Sequence, residues 1–231
     1  MKKLTVIIPT YNEQATITKL IDKVKAVKIK GITKEILVVD DGSTDQSANL
    51  IQKATAKYSN VKAFSLPINL GKGAAIRLGL KHATGDIIII QDADLELDPQ
   101  EFHQILKPII NKKAEIVYGS RVLSHHKIPF KSFLATKITS TLVGFLFGQW
   151  ISDINTAYKA FTKQVSNKII LRSVQFEFDA EFTVKVLKLG YKINEVPISY
   201  NPRTKLEGKK IRFHHGLDLV FAIIKYRILN D

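Results

Sequence analysis

Cysteine is absent from the sequence. That excludes disulfides and every cysteine-based zinc or redox site, and it suits a reducing compartment. Long apolar runs are missing too. The longest uncharged stretch, Ile138–Ser152, is broken by Thr, Ser and Gln, whereas a membrane-spanning helix needs about 20 apolar residues. No transmembrane helix is expected. Met1-Lys2-Lys3 runs into a short apolar strand and then Pro9, which does not read as a signal peptide. With no Pro/Ser/Gly-rich linker, low-complexity segment or internal repeat, one domain over 1–231 is expected. Two nucleotide fingerprints are also lacking. No G-x-G-x-x-G follows the first strand, and Gly71-Lys72-Gly73 does not fit the P-loop pattern. Acids are scarce: 21 Asp and Glu stand against 35 Lys and Arg, a net charge of +14. Such a surface fits an anionic substrate, an anionic membrane or nucleic acid. The aromatic-interleaved basic motifs of RNA binders are missing, so no nucleic-acid partner is expected.

The few acids are not scattered evenly. Ile87-Ile88-Ile89-Ile90 reads as a strand buried on both faces, as in a parallel sheet. Asp92, Asp94 and Glu96 alternate just beyond it, where open α/β sheets bind ligands. Carboxylates this close repel unless a cation joins them, and hard oxygen ligands favour Mg²⁺ or Mn²⁺. The competing account is a polar turn after a strand.

Strands are expected at Leu4–Ile8, Glu35–Val39, Val61–Leu66, Ile87–Ile90 and Glu115–Gly119. Helices fall between them: one carrying Ile17, Leu20, Ile21 and Val24, one over Gln46–Lys57 capped by Ser43 or Thr44, one ending at His82, and one from Pro99 to about Asn111. This alternation predicts an α/β fold with a doubly wound, mostly parallel sheet. Further on, an apolar stripe marks a helix over Phe130–Phe147. Tyr158–Phe161 is a short strand, Asp179–Leu189 a helix, Tyr191–Tyr200 contains a strand, and Leu217–Leu229 is a last apolar helix.

Four motifs stand in order: Pro9-Thr10-Tyr11-Asn12-Glu13, Val38-Val39-Asp40-Asp41-Gly42-Ser43-Thr44-Asp45, Gly71-Lys72-Gly73 and Asp92-Ala93-Asp94. Together they resemble the family 2 glycosyltransferases of GT-A fold. Within these, the chain is most similar to dolichyl-phosphate mannose synthases and bacterial polyprenyl-phosphate hexosyltransferases. Gly119-Ser120-Arg121 and Glu195-Val196-Pro197-Ile198-Ser199-Tyr200, followed by Arg203 and Lys209, extend the likeness along nearly the whole chain. Where mannose synthases carry Gly-Glu-Ser-Lys, this chain has Glu207-Gly208-Lys209-Lys210, which leaves the sugar open. The Gln-x-x-Arg-Trp motif of processive synthases is absent.

The resemblance implies a nucleotide-sugar-binding half over about 1–98 and an acceptor-binding half over about 99–231. Pro9, Tyr11 and Glu13 would wall the donor, and Val39 and Asp41 would contact its base or ribose. Asp92, Ala93 and Asp94 would meet the donor and metal, with Asp92, Asp94 and Glu96 as metal ligands. Arg121, Arg203 and Lys209 would bind phosphates, since a guanidinium fork meets phosphate oxygens in pairs. Apart from the resemblance, Asp153 and the pair Asp179 and Glu181 are candidates for a general base or an acceptor contact, with a helix N-terminus that welcomes acids as the plainer account of the pair. Plainer accounts stand beside these: a loop aromatic for Tyr11, a helix cap for one of Asp40 and Asp41, a surface cation for Lys209.

The expected activity is a metal-dependent, inverting transfer of a hexose from a nucleoside-diphosphate sugar, of GDP-mannose or UDP-glucose type, to a polyprenyl or dolichyl phosphate. It is placed at the cytoplasmic membrane face, with the chain peripheral on an anionic membrane surface. One rival is transfer to a sugar hydroxyl with Asp153 or Asp179 as base. Another is a non-catalytic nucleotide-sugar-binding subunit regulating a membrane-protein partner. Phe130, Phe133, Leu134, Ile138, Leu142, Phe145 and Leu146 form one apolar stripe, and Leu217, Val220, Phe221, Ile224 and Ile228 another. Both stripes fit either core packing or docking at the membrane interface.

Overall fold

The computed structural model describes residues 2–124, 128–203 and 214–229. The first half alternates strands and helices: β1 (Lys2–Thr10), α1 (Ile17–Ala26), β2 (Ile32–Asp40), α2 (Ser47–Lys57), β3 (Val61–Ser65), α3 (Lys72–His82) and β4 (Ile87–Ile90). A 3-10 turn at Pro99–Glu101 then leads into α4 (Phe102–Ile110), followed by β5 (Ile116–Ser120), α5 (Phe130–Phe147), β6 (Lys159–Thr162), α6 (Lys163–Lys168), α7 (Phe178–Lys188), β7 (Ile193–Pro197) and α8 (His214–Ile228). The seven strands form one sheet in the order β3-β2-β1-β4-β6-β5-β7. The first four run parallel, as their β-branched runs imply. β6 is antiparallel to both β4 and β5, and β7 returns parallel to β5.

Alternation along the strands builds two cores. Leu4, Val6, Ile8, Ile36, Val38, Ile87 and Ile89 face α1, α2 and α4. Ile7, Leu37, Val39, Ile88 and Ile90 face α3, α7 and α8. The central strands are therefore apolar on both faces, with helices covering each. From β1 the chain builds outward through β2 and β3, then crosses to place β4 on the other side of β1. That reversal opens a crevice at the carboxyl ends of β1, β2 and β4, the place where doubly wound sheets take ligands.

Two local expectations change. Helix α2 starts at Ser47, and Ser43 and Thr44 do not cap it; Asp45 accepts from Ser47 N at 2.8 Å instead. The Ser43 hydroxyl turns back to donate to Asp40. Helix α6 was not expected from periodicity, being a single short turn and a half whose start is capped by the Thr162 hydroxyl.

Candidate active site

The crevice contains a cavity of about 520 Å³. Its walls come from the end of β1 (Pro9, Thr10, Tyr11, Glu13), the residue after β2 (Asp41), the start of α3 (Gly71, Lys72) and the acid turn after β4 (Asp92, Ala93, Asp94, Glu96). Gln175, Phe176 and Arg203 close it from the carboxy-terminal half. Pro9, Tyr11, Glu13, Asp41, Asp92, Ala93, Asp94, Glu96 and Arg203 are thus gathered at one place, as their common position beyond strand ends implies. Val39 is not part of the lining: its side chain is buried in the second core. Lys209 lies outside the described residues, as do Glu207, Gly208 and Lys210.

Asp41 does not cap the next helix. Its carboxylate accepts from Leu70 N at 2.9 Å and Gly71 N at 2.8 Å, fixing the loop before α3. Burial raises its pKa, opposed by those two N–H groups, with the neighbouring Asp40 adding to the rise. Gly71 has a φ of 112°, and a Cβ there would lie 2.5 Å from Val174 O. The glycine thus lets the 174–175 backbone approach, and Ala74 N and Gly73 N donate to Val174 O and Gln175 O at 3.0 and 3.2 Å. Gly71-Lys72-Gly73 is therefore a docking point for the segment that brings Gln175 and Phe176 into the cavity. The N–H groups of Gly71, Gly73 and Ala74 are already taken up.

The acid turn is held by its own backbone. Glu96 N donates to Asp94 Oδ1 at 3.1 Å, and Leu95 adopts a φ of 62°, a left-handed conformation uncommon outside glycine. Each acid then meets a cation. Lys72 Nζ lies 2.8 and 3.0 Å from the two oxygens of Asp92. Arg203 spreads its guanidinium over Glu13, at 3.0 and 3.2 Å, and Asp94, at 3.3 Å. Its backbone N donates to Glu96 Oε1 at 2.9 Å. Burial, with Asp92 and Glu96 alongside, pushes the Asp94 carboxyl up to about 7 against the pull of Arg203. Burial alone would lower Lys72, but Asp92 and, further away, Asp179 outweigh it and raise its pKa.

These donors suit a hard divalent cation, being oxygens only, and Asp94 is short of positive charge where it stands. Among the described residues, however, no three Asp, Glu, His or Cys converge to hold an ion. The three-carboxylate set of Asp92, Asp94 and Glu96 is therefore not gathered about one point. What the turn fits is an ion held by one or two carboxylates, with phosphate oxygens and water filling the rest, the usual manner for Mg²⁺.

Arg121 and Asp153 meet each other rather than the cavity. Asp153 is fully buried and accepts from Arg121 Nε at 2.8 Å, Nη2 at 2.9 Å and N at 3.1 Å. Behind it, Glu195 accepts from Ser152 N at 2.8 Å and Asp153 N at 3.1 Å. Arg121 also lies 5.1 Å from the Tyr200 ring, and Tyr200 in turn contacts Glu96, so this pair adjoins the acid turn through one side chain. Asp179 is likewise committed, 2.5 Å from Lys159, a fully buried lysine that also donates to Ile154 O at 3.0 Å.

Sequence reasoning passed over Lys72, Gln175, Phe176 and the buttressing role of Glu195. Lys72 carried a signal as the cation inside the third motif, and Glu195 as the first residue of the Glu195–Tyr200 motif.

The fold and the crevice define a GT-A glycosyltransferase. Residues 5–170 match glycosyl transferase family 2, and the chain belongs to that family. It is 28% identical over 242 residues to a dolichyl-phosphate beta-glucosyltransferase of Trichomonas vaginalis, spanning 98% of this chain and 73% of that protein. It is 32% identical over 219 residues to a dolichol-phosphate mannosyltransferase of Pyrococcus furiosus, spanning 90% of this chain and 60% of that one. In fold it is similar to glucosyl-3-phosphoglycerate synthase of Mycobacterium tuberculosis, solved with Mn²⁺, UDP and glucosyl-3-phosphoglycerate. That likeness has a TM-score of 0.76 at 17% identity, over all of this chain and 81% of the other.

Proposed function

We propose that this chain moves a hexose from a nucleoside-diphosphate sugar to a polyprenyl phosphate, with Mg²⁺ or Mn²⁺, while lying on the cytoplasmic face of a membrane. The donor takes the cavity of the 1–98 half, against Pro9, Tyr11, Glu13 and Asp41. The acceptor phosphate approaches from the 99–231 half, past Arg121. A divalent ion at Asp92 and Asp94 would neutralise the charge that develops on the leaving diphosphate. Arg203 and Lys72 add fixed positive charge beside it, and the buried pocket keeps that charge effective.

The observation that carries the lipid acceptor is the inverted helix α5. Its buried positions are Thr136, Thr139, Ser140 and Val143. Its outward positions include Phe130, Phe133, Leu134, Ile138 and Phe145, the last 86% exposed. A helix facing water does the reverse. Phe221, Ile224 and Ile228 of α8, which packs on α5, are exposed as well, and Lys131, Lys137, Lys225 and Arg227 sit on the same two helices. Aromatic and aliphatic side chains flanked by lysine and arginine are the composition of an interfacial anchor. No helix among the described residues is long and apolar enough to cross a membrane.

The same helix leads to the acceptor side. Thr136 and Thr139 accept from Asn155 Nδ2 at 3.3 and 3.2 Å, and Asn155 O accepts from Arg121 at 3.2 Å. An apolar-anchored helix thus touches the loop that packs against the Arg121–Asp153 pair. A phosphate acceptor is already ionised near neutral pH and needs orientation more than a base. A hydroxyl acceptor needs a base within reach, and Asp153 and Asp179 are both held by cations. These commitments favour the phosphate. The test is a donor screen: purified protein, Mn²⁺, a short polyprenyl phosphate, and UDP-glucose or GDP-mannose in turn. Lipid-linked sugar from one donor is expected. Transfer to a sugar hydroxyl with none to the lipid phosphate refutes the assignment.

A further inference from the structure

Among the described residues, four carboxylates of the pocket, Glu13, Asp92, Asp94 and Glu96, share the ion pairs of two cations, Arg203 and Lys72. The match of Arg203 to its partners is incomplete. Its fork is spent on Glu13, and the contact to Asp94 is 3.3 Å, longer than the roughly 2.7–2.9 Å of a well-made charge-assisted bond. Its Nε is buried, 3.8 Å from Glu96 Oε1, and makes no hydrogen bond. Buried donors seldom go unpaired, and one that does marks a compromise. The Arg203 backbone, by contrast, is pinned by Glu96 at 2.9 Å, so the side chain can turn while its Cα stays at the rim. Lys72 is anchored in the same way, by the first turn of α3 against the 174–175 carbonyls.

We propose that Arg203 and Lys72 are exchangeable counter-ions: in the ligand-free protein they hold the pocket's carboxylates, and on donor binding they give these up to the divalent ion and pair with the diphosphate oxygens instead. This rests on the donor and metal assignment above and adds what that assignment lacks, a reason for metal and donor to bind together. Either partner alone must break an ion pair without giving both released groups a new partner. Together the ion takes the carboxylates that the two side chains release and the diphosphate takes the two cations, so each tightens the other. Arg203 and Lys72 are thereby positioning residues that compete with the metal before they help the donor.

The experiment is Mn²⁺ titration by calorimetry, with the paramagnetic resonance of free Mn²⁺ as a second readout, on wild type, Arg203→Gln and Lys72→Met. Each is measured without nucleotide and with UDP or GDP. With the competitor gone, Arg203→Gln should bind Mn²⁺ alone about tenfold more tightly than wild type, a difference of about 1.4 kcal/mol. The same variant should bind nucleotide in the presence of Mn²⁺ more weakly. Lys72→Met should move both quantities in the same directions, and it carries the test if Arg203→Gln loses its circular-dichroism spectrum. A merely structural arginine would lower both affinities together, and that result overturns the inference, as does unchanged Mn²⁺ affinity in the variants. Uptake of Mn²⁺ by none of the proteins, even with nucleotide, removes the metal assignment and this inference with it.

Discussion

Replacing Asp153 by alanine separates a structural acid from a catalytic one. The carboxylate is fully buried and receives three N–H groups of Arg121, whose side chain is 11% exposed. Removing it strands a guanidinium that keeps only the Asn155 carbonyl at 3.2 Å and the face of Tyr200. Breaking a buried pair by deleting one partner costs about 3–5 kcal/mol. The partners left to Arg121 put this case at the lower end, about 3 kcal/mol. With a urea dependence of about 2–3 kcal/mol per molar, the unfolding midpoint should fall by about 1 M. Asp153→Asn keeps the volume and one acceptor oxygen, so it should unfold between the two and retain turnover. Urea unfolding followed by circular dichroism, beside initial rates at saturating donor, reads both effects. A midpoint for Asp153→Ala within about 0.3 M of wild type would refute the buried-pair account. A folded Asp153→Asn with no turnover would return this residue to the role of base.

Asp94→Asn should abolish transfer yet stabilise the fold at pH 8. A carboxyl raised from 3.8 to about 7 in the folded state gives stability that is full below about 3.8 and lost as pH rises through about 7, and the amide escapes that loss. Metal-independent turnover, or a lower urea midpoint at pH 8, would contradict this. Glu35 should act in the opposite sense. Burial alone would raise its pKa, but bonds from Lys3, Thr5 and Thr84 prevail and hold it at about 2. Its contribution, up to about 3 kcal/mol, is present above about 4.5 and lost as pH falls toward 2, so Glu35→Gln should flatten the acid limb of the stability profile. Phe145→Ser should weaken co-sedimentation with anionic vesicles about tenfold, the equivalent of burying a phenylalanine in part, and binding should fall with salt. Wild type remaining in the supernatant at low salt would end the membrane account. Phe145 is a cleaner probe than Leu146, which packs partly on the second core.

The strands that carry the site were legible because a sheet covered on both faces demands unbroken β-branched runs, and Ile87–Ile90 meets no other description easily. The acids beyond it were legible because the ligand end of such a sheet is fixed by topology. The direction of β6 was not, since Lys159-Ala160-Phe161-Thr162 reads alike in either sense, and its pairing with β4 and β5 is what sets it antiparallel. Nor was the meeting of Gly73 with Gln175, residues a hundred positions apart that the sheet brings together. Helix α5 is the instructive case. Its apolar stripe was plain, but periodicity names a face and not its neighbour. The side turned inward is the one with Thr139 donating to Ala135 O and Ser140 donating to Ser152 O. Hydroxyls that find carbonyls and amides can be buried at little cost, and that freed the phenylalanines to point out.

The charge of +14 then falls into place by subtraction. The cations around the site, half-buried Lys72, Arg121 and Arg203 and fully buried Lys159, are each matched by an acid: Asp92 for Lys72, Asp153 for Arg121, Glu13 with Asp94 for Arg203, and Asp179 for Lys159. These pairs add no net positive charge, so the excess of basic residues lies outside them, largely on the surface. Exposed charge attracts anions over about a Debye length, roughly 8 Å at physiological ionic strength, and salt weakens it. Buried pairs are screened much less. Salt should therefore loosen the chain's hold on an anionic membrane, and its capture of an anionic donor, well before it disturbs the ion pairs that shape the pocket.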